Sequence, residues 1–236
     1  MSTHYILQIE TATQVCSAAL SANGETIACI DVDEPNVHAS RLTLLVEELL
    51  RKTGLTFTDL SAVAVSKGPG SYTGLRIGVS TAKGLCYATD LPLIGIDTLT
   101  GMSAGFMADH PQDGDALLCP MVDARRMEVY AAVFDGCTRP VAPTAAVIVG
   151  PQSFEEYLKP GQRMVLFGSG ADKLAALFSE DKRIDVVTGF KNSASHLSRL
   201  ADQAYREASF EDVVYFEPFY LKDFVPTTPK KGPRPS

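Results

Sequence analysis

Residues 68 to 78 read Gly68, Pro69, Gly70, Ser71, Tyr72, Thr73, Gly74, Leu75, Arg76, Ile77 and Gly78, a run rich in glycine and hydroxyl groups. Glycines between a strand and a helix permit positive φ and close backbone approach. Ser71 or Thr73 can cap the helix that follows, and the N–H groups of its first turn can face an anion. The spacing is neither GxxxxGK followed by Ser or Thr nor GxGxxG, so the pattern alone specifies no nucleotide, and a tight turn without ligand accounts for it at least as well. Glu10 and Asp123, each ending a strand-like run, are the second candidate, because two carboxylates converging in a cleft position magnesium or move protons. Without a histidine beside them they read as at most a vestigial site. His4, His38, His110 and His196 include no pair at metal-ligand spacing, so no metal site is expected. Ser71 and Ser169 sit beside glycines but in the wrong frame for GxSxG, so neither reads as a serine-nucleophile elbow. Cys16, Cys29, Cys86, Cys119 and Cys137 are odd in number and contain no CxxC pair, and they read as reduced, buried thiols.

The elements that must position these groups follow from periodicity. Tyr5 to Glu10, Val15 to Ser21 and Glu25 to Val32 are strand-like, and Asn23-Gly24 between the last two has hairpin chemistry. Residues 38 to 53 carry Leu42, Leu45, Val46 and Leu49 at offsets of three and four, with Gly54 as the stop, which predicts an amphipathic helix. A strand over Leu60 to Ser66, a helix over Tyr72 to Ala88 and a strand over Leu93 to Ile96 complete a βββαβαβ order. That order implies an α/β fold with a mixed sheet. The grammar then repeats: eight residues beyond Glu10 lies Ala18-Ala19-Leu20, and eight beyond Asp123 lies Ala131-Ala132-Val133. This matched spacing suggests an internal duplication. Helices are expected at 151 to 159, from Gly170 through Phe178 and at 193 to 208, with a strand at Arg163 to Phe167. The Pro-rich basic end, 226 to 236, reads as a disordered tail.

Composition narrows the function classes. The 236 residues are 45% hydrophobic and 21% charged, as in globular chains, and no apolar run approaches the ~18 residues of a membrane span. Met1-Ser2-Thr3-His4 enters an apolar run without a basic flank, so a cytoplasmic, non-secreted protein with no membrane partner is expected. A net charge of -7 repels phosphate at long range, so any RNA contact must be local or shared. Gly74, Gly78 and Ala82 recur every four residues on the second helix, and Leu44 and Leu50 widen the apolar face of the first. The two helices either pack on each other or present a partner surface.

The segments Ile9 to Thr13, Gly68 to Gly78, Asp97, Met121 to Tyr130 and Pro218 to Lys222 closely resemble the TsaB (YeaZ) family, over nearly the whole chain. The resemblance implies the actin-like ATPase (ASKHA) fold, with two lobes that each hold a mixed β-sheet flanked by helices. It implies an N-lobe at 1–103 on which the C-terminal helix packs, a C-lobe at 104–225 and the tail. It also implies a non-catalytic scaffold in the synthesis of threonylcarbamoyladenosine beside the tRNA anticodon. The partners would be a TsaD-type transferase and a TsaE-type ATPase, with a homodimer in isolation and tRNA met only through the complex. TsaD holds metal through a histidine pair on the helix after the strand ending here at Asp97. Thr98 to Asp109 has no histidine, and His110 stands alone. Active superfamily members carry a glycine in the first hairpin, whereas Thr11-Ala12-Thr13-Gln14 has none, so ATP and magnesium binding by this chain alone is not expected.

The family pairing through N-lobe helices points to Leu42, Leu45, Val46, Leu49, Arg76, Gly78, Val79, Ala82 and Lys83 as interface residues, and implies that Gly78→Leu blocks association while leaving the fold intact. Arg125 and Arg126, at the duplicated hairpin turn, touch the ATPase, a nucleotide or tRNA, or are solvated turn charges. Lys230, Lys231 and Arg234 either graze tRNA phosphates or solubilise the tail. The competing reading is a stand-alone actin-like ATPase or carbamoyl transferase, with Glu10 and Asp123 on magnesium and Gly68 to Ser71 on phosphate. A glycoprotease is a third reading, and it conflicts with the lack of a histidine pair.

Overall fold

In the computed structural model, which describes residues 3–222, two five-stranded sheets share one topology. The first contains β1 (Tyr5–Glu10), β2 (Cys16–Ala22), β3 (Glu25–Val32), β4 (Leu60–Gly68) and β5 (Leu93–Asp97), in the order β3-β2-β1-β4-β5. The second contains β6 (Leu117–Asp123), β7 (Glu128–Phe134), β8 (Pro140–Ile148), β9 (Met164–Phe167) and β10 (Ile184–Val187), in the order β10-β9-β6-β7-β8. In each sheet the hairpin-linked strands pair antiparallel and the last two strands join parallel. The duplication is thus present in the topology, with Asp123 ending β6 as Glu10 ends β1. The tail expected at 226–236, with Lys230, Lys231 and Arg234, lies outside the described residues.

Among the described residues four α-helices accompany the sheets: α1 (His38–Thr53), α2 (Tyr72–Thr89), α3 (Thr98–Asp109) and α4 (Ser198–Arg206). The period of two along β1 and β4 sends Leu7, Ile9, Val63 and Val65 to one face, under α1 and α2, and Ile6, Ala62 and Ala64 to the other, under Leu197 and Ala201 before and within α4. Gly54 ends α1 in the left-handed conformation at φ 72°. Asp97 caps α3, accepting from Leu99 N and Thr100 N. That helix is apolar on all sides because it is buried between the sheets: Leu99, Met102 and Phe106 pack on the second sheet, and Gly105 lies so close to the His196 ring that a Cβ would sit 2.2 Å from it.

The second lobe departs from expectation on one face. The helix expected at 151 to 159 is a single 3-10 turn at Glu155–Tyr157, whose flanking Phe154 and Leu158 are buried in the second lobe's core. The helix expected through Phe178 is a 3-10 turn at Asp172–Leu174 followed by further turns, held by bonds from Leu174 N to Ala171 O and Leu177 N to Leu174 O. Ala171, Leu174 and Phe178 are still buried, so the apolar spacing held while the backbone did not. β8 carries Pro143 within it, which masks it as a strand in the sequence and which an edge strand tolerates. Two cysteines expected inside, Cys29 and Cys137, are exposed.

Residues 209 to 222, left without an element by periodicity, form a strap. Glu211 N donates to Leu93 O at 2.8 Å, Phe216 is buried in the core under α2, and Phe219 N donates to Lys67 O at 2.7 Å. Lys222 then pairs with Glu128 of the other lobe.

Candidate functional site

The glycine-rich segment lies where the sequence places it, as the turn from β4 into α2. Ser71 caps the helix, its Oγ accepting from Gly74 N at 3.2 Å. The partner that fills this turn is the chain itself. Ser71 N donates to Ala12 O at 2.7 Å, and Cβ atoms at Gly70, Gly74 and Gly78 would fall 2.4, 2.1 and 2.1 Å from Ala12 O, Thr11 O and Thr11 Oγ1. The small-residue stripe of α2 therefore receives the β1–β2 turn. His38, at the start of α1, anchors the same turn by donating from Nε2 to Thr13 O at 3.0 Å.

Glu10 completes the arrangement. It is 1% exposed, and its Oε1 accepts from Ala12 N at 2.6 Å. Burial pushes its carboxyl up to about 7, opposed by the hydrogen bonds from Ala12, Ser66 and Thr11. Asp123 has other partners. Its carboxylate takes Lys173 Nζ and Arg125 N, while its own N donates to Ser169 Oγ. The two carboxylates therefore share no hydrogen bond, each serving its own lobe. Ala12 O and Thr11 O occupy the space that a phosphate would need at the α2 N-terminus, and Lys173 already neutralises Asp123. These residues do not fit a nucleotide phosphate with magnesium. Among the described residues, no three His, Cys, Asp or Glu side chains gather as a metal site.

The expected interface residues are mostly interior. Leu42, Leu45, Val46 and Leu49 face the first sheet, Val79 and Ala82 join the same core, and Gly78 meets Thr11. Their apolar spacing reports packing on the chain's own sheet, so Gly78→Leu would displace the β1–β2 turn rather than leave the fold intact. Lys83 Nζ donates to Val214 O and Phe216 O, holding the strap, and Tyr72 stacks near Tyr220 with ring centroids 4.8 Å apart. Gly68 faces the strap at Phe219 O, and Pro69 is buried beside it. Of the expected set, Arg76 is exposed, donating to Tyr72 OH at 2.9 Å. Arg76 lies on an outer ridge of α2 with Thr73, Ser80, Gly84 and Tyr87, all exposed on the side of the sheet that also shows Leu44, and of these the sequence reading left Ser80, Gly84 and Tyr87 unmarked. Steps of three and four along the helix from Arg76 trace it.

Between the lobes lies a cavity of about 240 Å³ whose lining includes Gln14, Asp33, Ser169, Lys191 and Asn192. Lys191 pairs with Asp33, and Asn192 Nδ2 is buried without a partner. At the β6–β7 turn, Arg125 and Arg126 stand at φ 73° and 51°, a left-handed conformation that costs roughly 1–2 kcal/mol per non-glycine residue.

Two duplicated lobes joined across a buried helix, with the first lobe's helix N-terminus closed by its own hairpin, define a protein of the actin-like ATPase fold. Comparison with known proteins agrees. The activator of the 2-hydroxyisocaproyl-CoA dehydratase from Clostridium difficile, solved with bound ADPNP, superposes at a TM-score of 0.51 with 13% identity over 87% of this chain and 97% of that one. YeaZ from Pseudomonas aeruginosa superposes at 0.77 with 24% identity, covering 92% of this chain and all of the other. Residues 35–225 match the family model described as TsaD, tRNA N6-adenosine threonylcarbamoyltransferase. The Escherichia coli (strain K12) tRNA threonylcarbamoyladenosine biosynthesis protein TsaB is 31% identical over 227 residues, 93% of this chain and 95% of that protein. The chain belongs to the TsaB family.

Proposed function

We propose that the chain is a non-catalytic subunit of the cytoplasmic machinery that installs threonylcarbamoyladenosine in tRNA, binding a TsaD-type transferase and a TsaE-type ATPase. The role in this biosynthesis is supported by the names of its relatives. The observation that carries the non-catalytic part is the bond from Ser71 N to Ala12 O: the donor a phosphate would use is spent within the chain. The partner surface is the ridge of α2 from Thr73 to Tyr87, together with Leu44 of α1. Leu44 is 51% and Tyr87 86% exposed, and nothing lies within 4 Å of a Cβ built on Gly84. A glycine in mid-helix costs about 1 kcal/mol relative to alanine, and no contact among the described residues offsets that cost. Alone, the same ridge pairs two copies around a two-fold axis.

Light-scattering mass of the chain alone and mixed with the transferase of the same organism, followed by tRNA modification by the mixture, tests the reading. A homodimer exchanging into a heterocomplex that modifies tRNA only when both chains are present is the expected result. Gly84→Leu should abolish both assemblies while leaving the chain folded, with a melting temperature no lower than wild type. A folded Gly84→Leu that still joins the transferase removes the ridge from consideration. Metal-dependent nucleotide hydrolysis by the chain alone, lost in Asp123→Ala, would instead establish the stand-alone ATPase.

A further inference from the structure

The β6–β7 turn has no part in the arrangement described above, yet it gathers charge in an unusual way for an acidic chain. Asp123 and Glu128 flank the turn, and each is taken by a lysine from elsewhere in the sequence, Lys173 and Lys222. Lys173 also donates to Glu128 O at 2.7 Å, and Arg125 N donates to Asp123 Oδ1 at 3.0 Å, so the turn is pinned from both sides. With the carboxylates engaged, the guanidiniums of Arg125 and Arg126 are left exposed and without an ion pair among the described residues. Four cations thus stand against two carboxylates at one tip of a molecule whose formal charge is -7. The left-handed backbone at both arginines is held by this pinning, which fixes where the two side chains leave the turn.

We propose that this hairpin tip contacts the phosphate backbone of a structured RNA, Arg125 and Arg126 each meeting a phosphate. Guanidiniums suit phosphate because their planar fork donates two parallel hydrogen bonds, and they remain charged at every working pH. The field of the whole chain repels RNA, so a contact must come from a local excess of cations, and here that excess sits on a rigid turn. Met127 at 41% exposure and Ile148 at 76% flank the tip as isolated side chains, suited to the face of a sugar rather than to the broad apolar centre of a protein interface. The contact positions RNA without reading its sequence, because phosphates carry none. It rests on the reading of the chain as a subunit of a tRNA-modifying complex, in which the other surfaces add the remaining affinity.

The test is the salt dependence of binding of a labelled, unmodified tRNA transcript to the full chain, alone and mixed with the transferase, by fluorescence anisotropy at 50 and 200 mM KCl. The variant Arg125→Gly/Arg126→Gly removes both charges, and glycine adopts the left-handed backbone freely, so the turn is kept. Each phosphate contact adds about 0.7–0.9 to the log–log slope. Over this fourfold salt range, wild type should therefore weaken about seven- to twelvefold more than the variant. Arg125→Lys/Arg126→Lys should retain the wild-type slope. Equal slopes for wild type and the folded glycine variant overturn the proposal. So does loss of transferase binding by that variant without RNA, which assigns the tip to a protein contact. Absence of any heterocomplex with wild type defeats the subunit reading instead, and the slope comparison is then read on the chain alone.

Discussion

Replacing Glu10 by glutamine should remove a pH dependence of stability that the wild type carries. A carboxyl raised from 4.5 to about 7 in the folded chain holds its proton more tightly there than in the unfolded chain. Its contribution is fully present below about 4.5 and is lost progressively as the pH climbs through about 7, because each unit of difference is worth about 1.4 kcal/mol. Between pH 5 and pH 8 the wild type should therefore lose about 2–3 kcal/mol relative to Glu10→Gln, whose amide does not titrate. For a chain of this size that is roughly 5–10 °C in melting temperature. The amide oxygen still accepts from Ala12 N, so the turn keeps its bond and the comparison isolates the charge. Thermal melts of both proteins at five pH values measure it. Parallel curves would refute the reasoning, for then Glu10 is solvated and the β1–β2 turn is not closed over it.

Gly74→Ala should destabilise the fold, since the new Cβ would meet the backbone carbonyl of Thr11 at 2.1 Å, whereas Gly84→Ala should stabilise it by about 1 kcal/mol, both read from urea midpoints. Lys83→Met removes the donor to Val214 O and Phe216 O and should speed limited proteolysis within residues 209 to 222 severalfold, with little change in far-UV circular dichroism; unchanged cleavage would show that the strap is held without Lys83. Phe216→Ala empties a core position under α2 and should cost about 3 kcal/mol by thermal melting.

The first lobe was legible because its periodicities are local. The spacing of Leu42, Leu45, Val46 and Leu49 fixed α1 within its observed bounds, and Gly54 stopped it. The same spacing could not say what lay opposite, and the side chains expected to meet a partner meet the first sheet. The contents of the glycine-rich turn were not legible either, because Ala12 and Ser71 are distant in sequence and only the folded chain brings them to 2.7 Å. In the second lobe Ala171, Leu174 and Phe178 carry a helical burial pattern on turns, since a short segment between Gly168 and the Asp181 turn buries three side chains without closing an α-helix. The strap failed to show because its contacts are single side chains and carbonyls with no period.

The two equivalent hairpin turns have met opposite fates, and the neighbouring connection explains why. After β4 the chain forms α2, whose Gly70-to-Gly78 stripe makes a groove that accepts Thr11 and Ala12, both fully buried. After β9 the corresponding connection is a 3-10 turn, which offers no groove. In its place Lys173 reaches out to Asp123 and to the carbonyl of Glu128, fixing the base of the second hairpin while its tip stays in solvent. The presence of a helix after the fourth strand of each lobe thus decides whether the hairpin carboxylate is buried with a raised pKa, as at Glu10, or exposed and paired, as at Asp123. One turn is thereby committed to holding the lobe together, and the other is left free to meet something outside it.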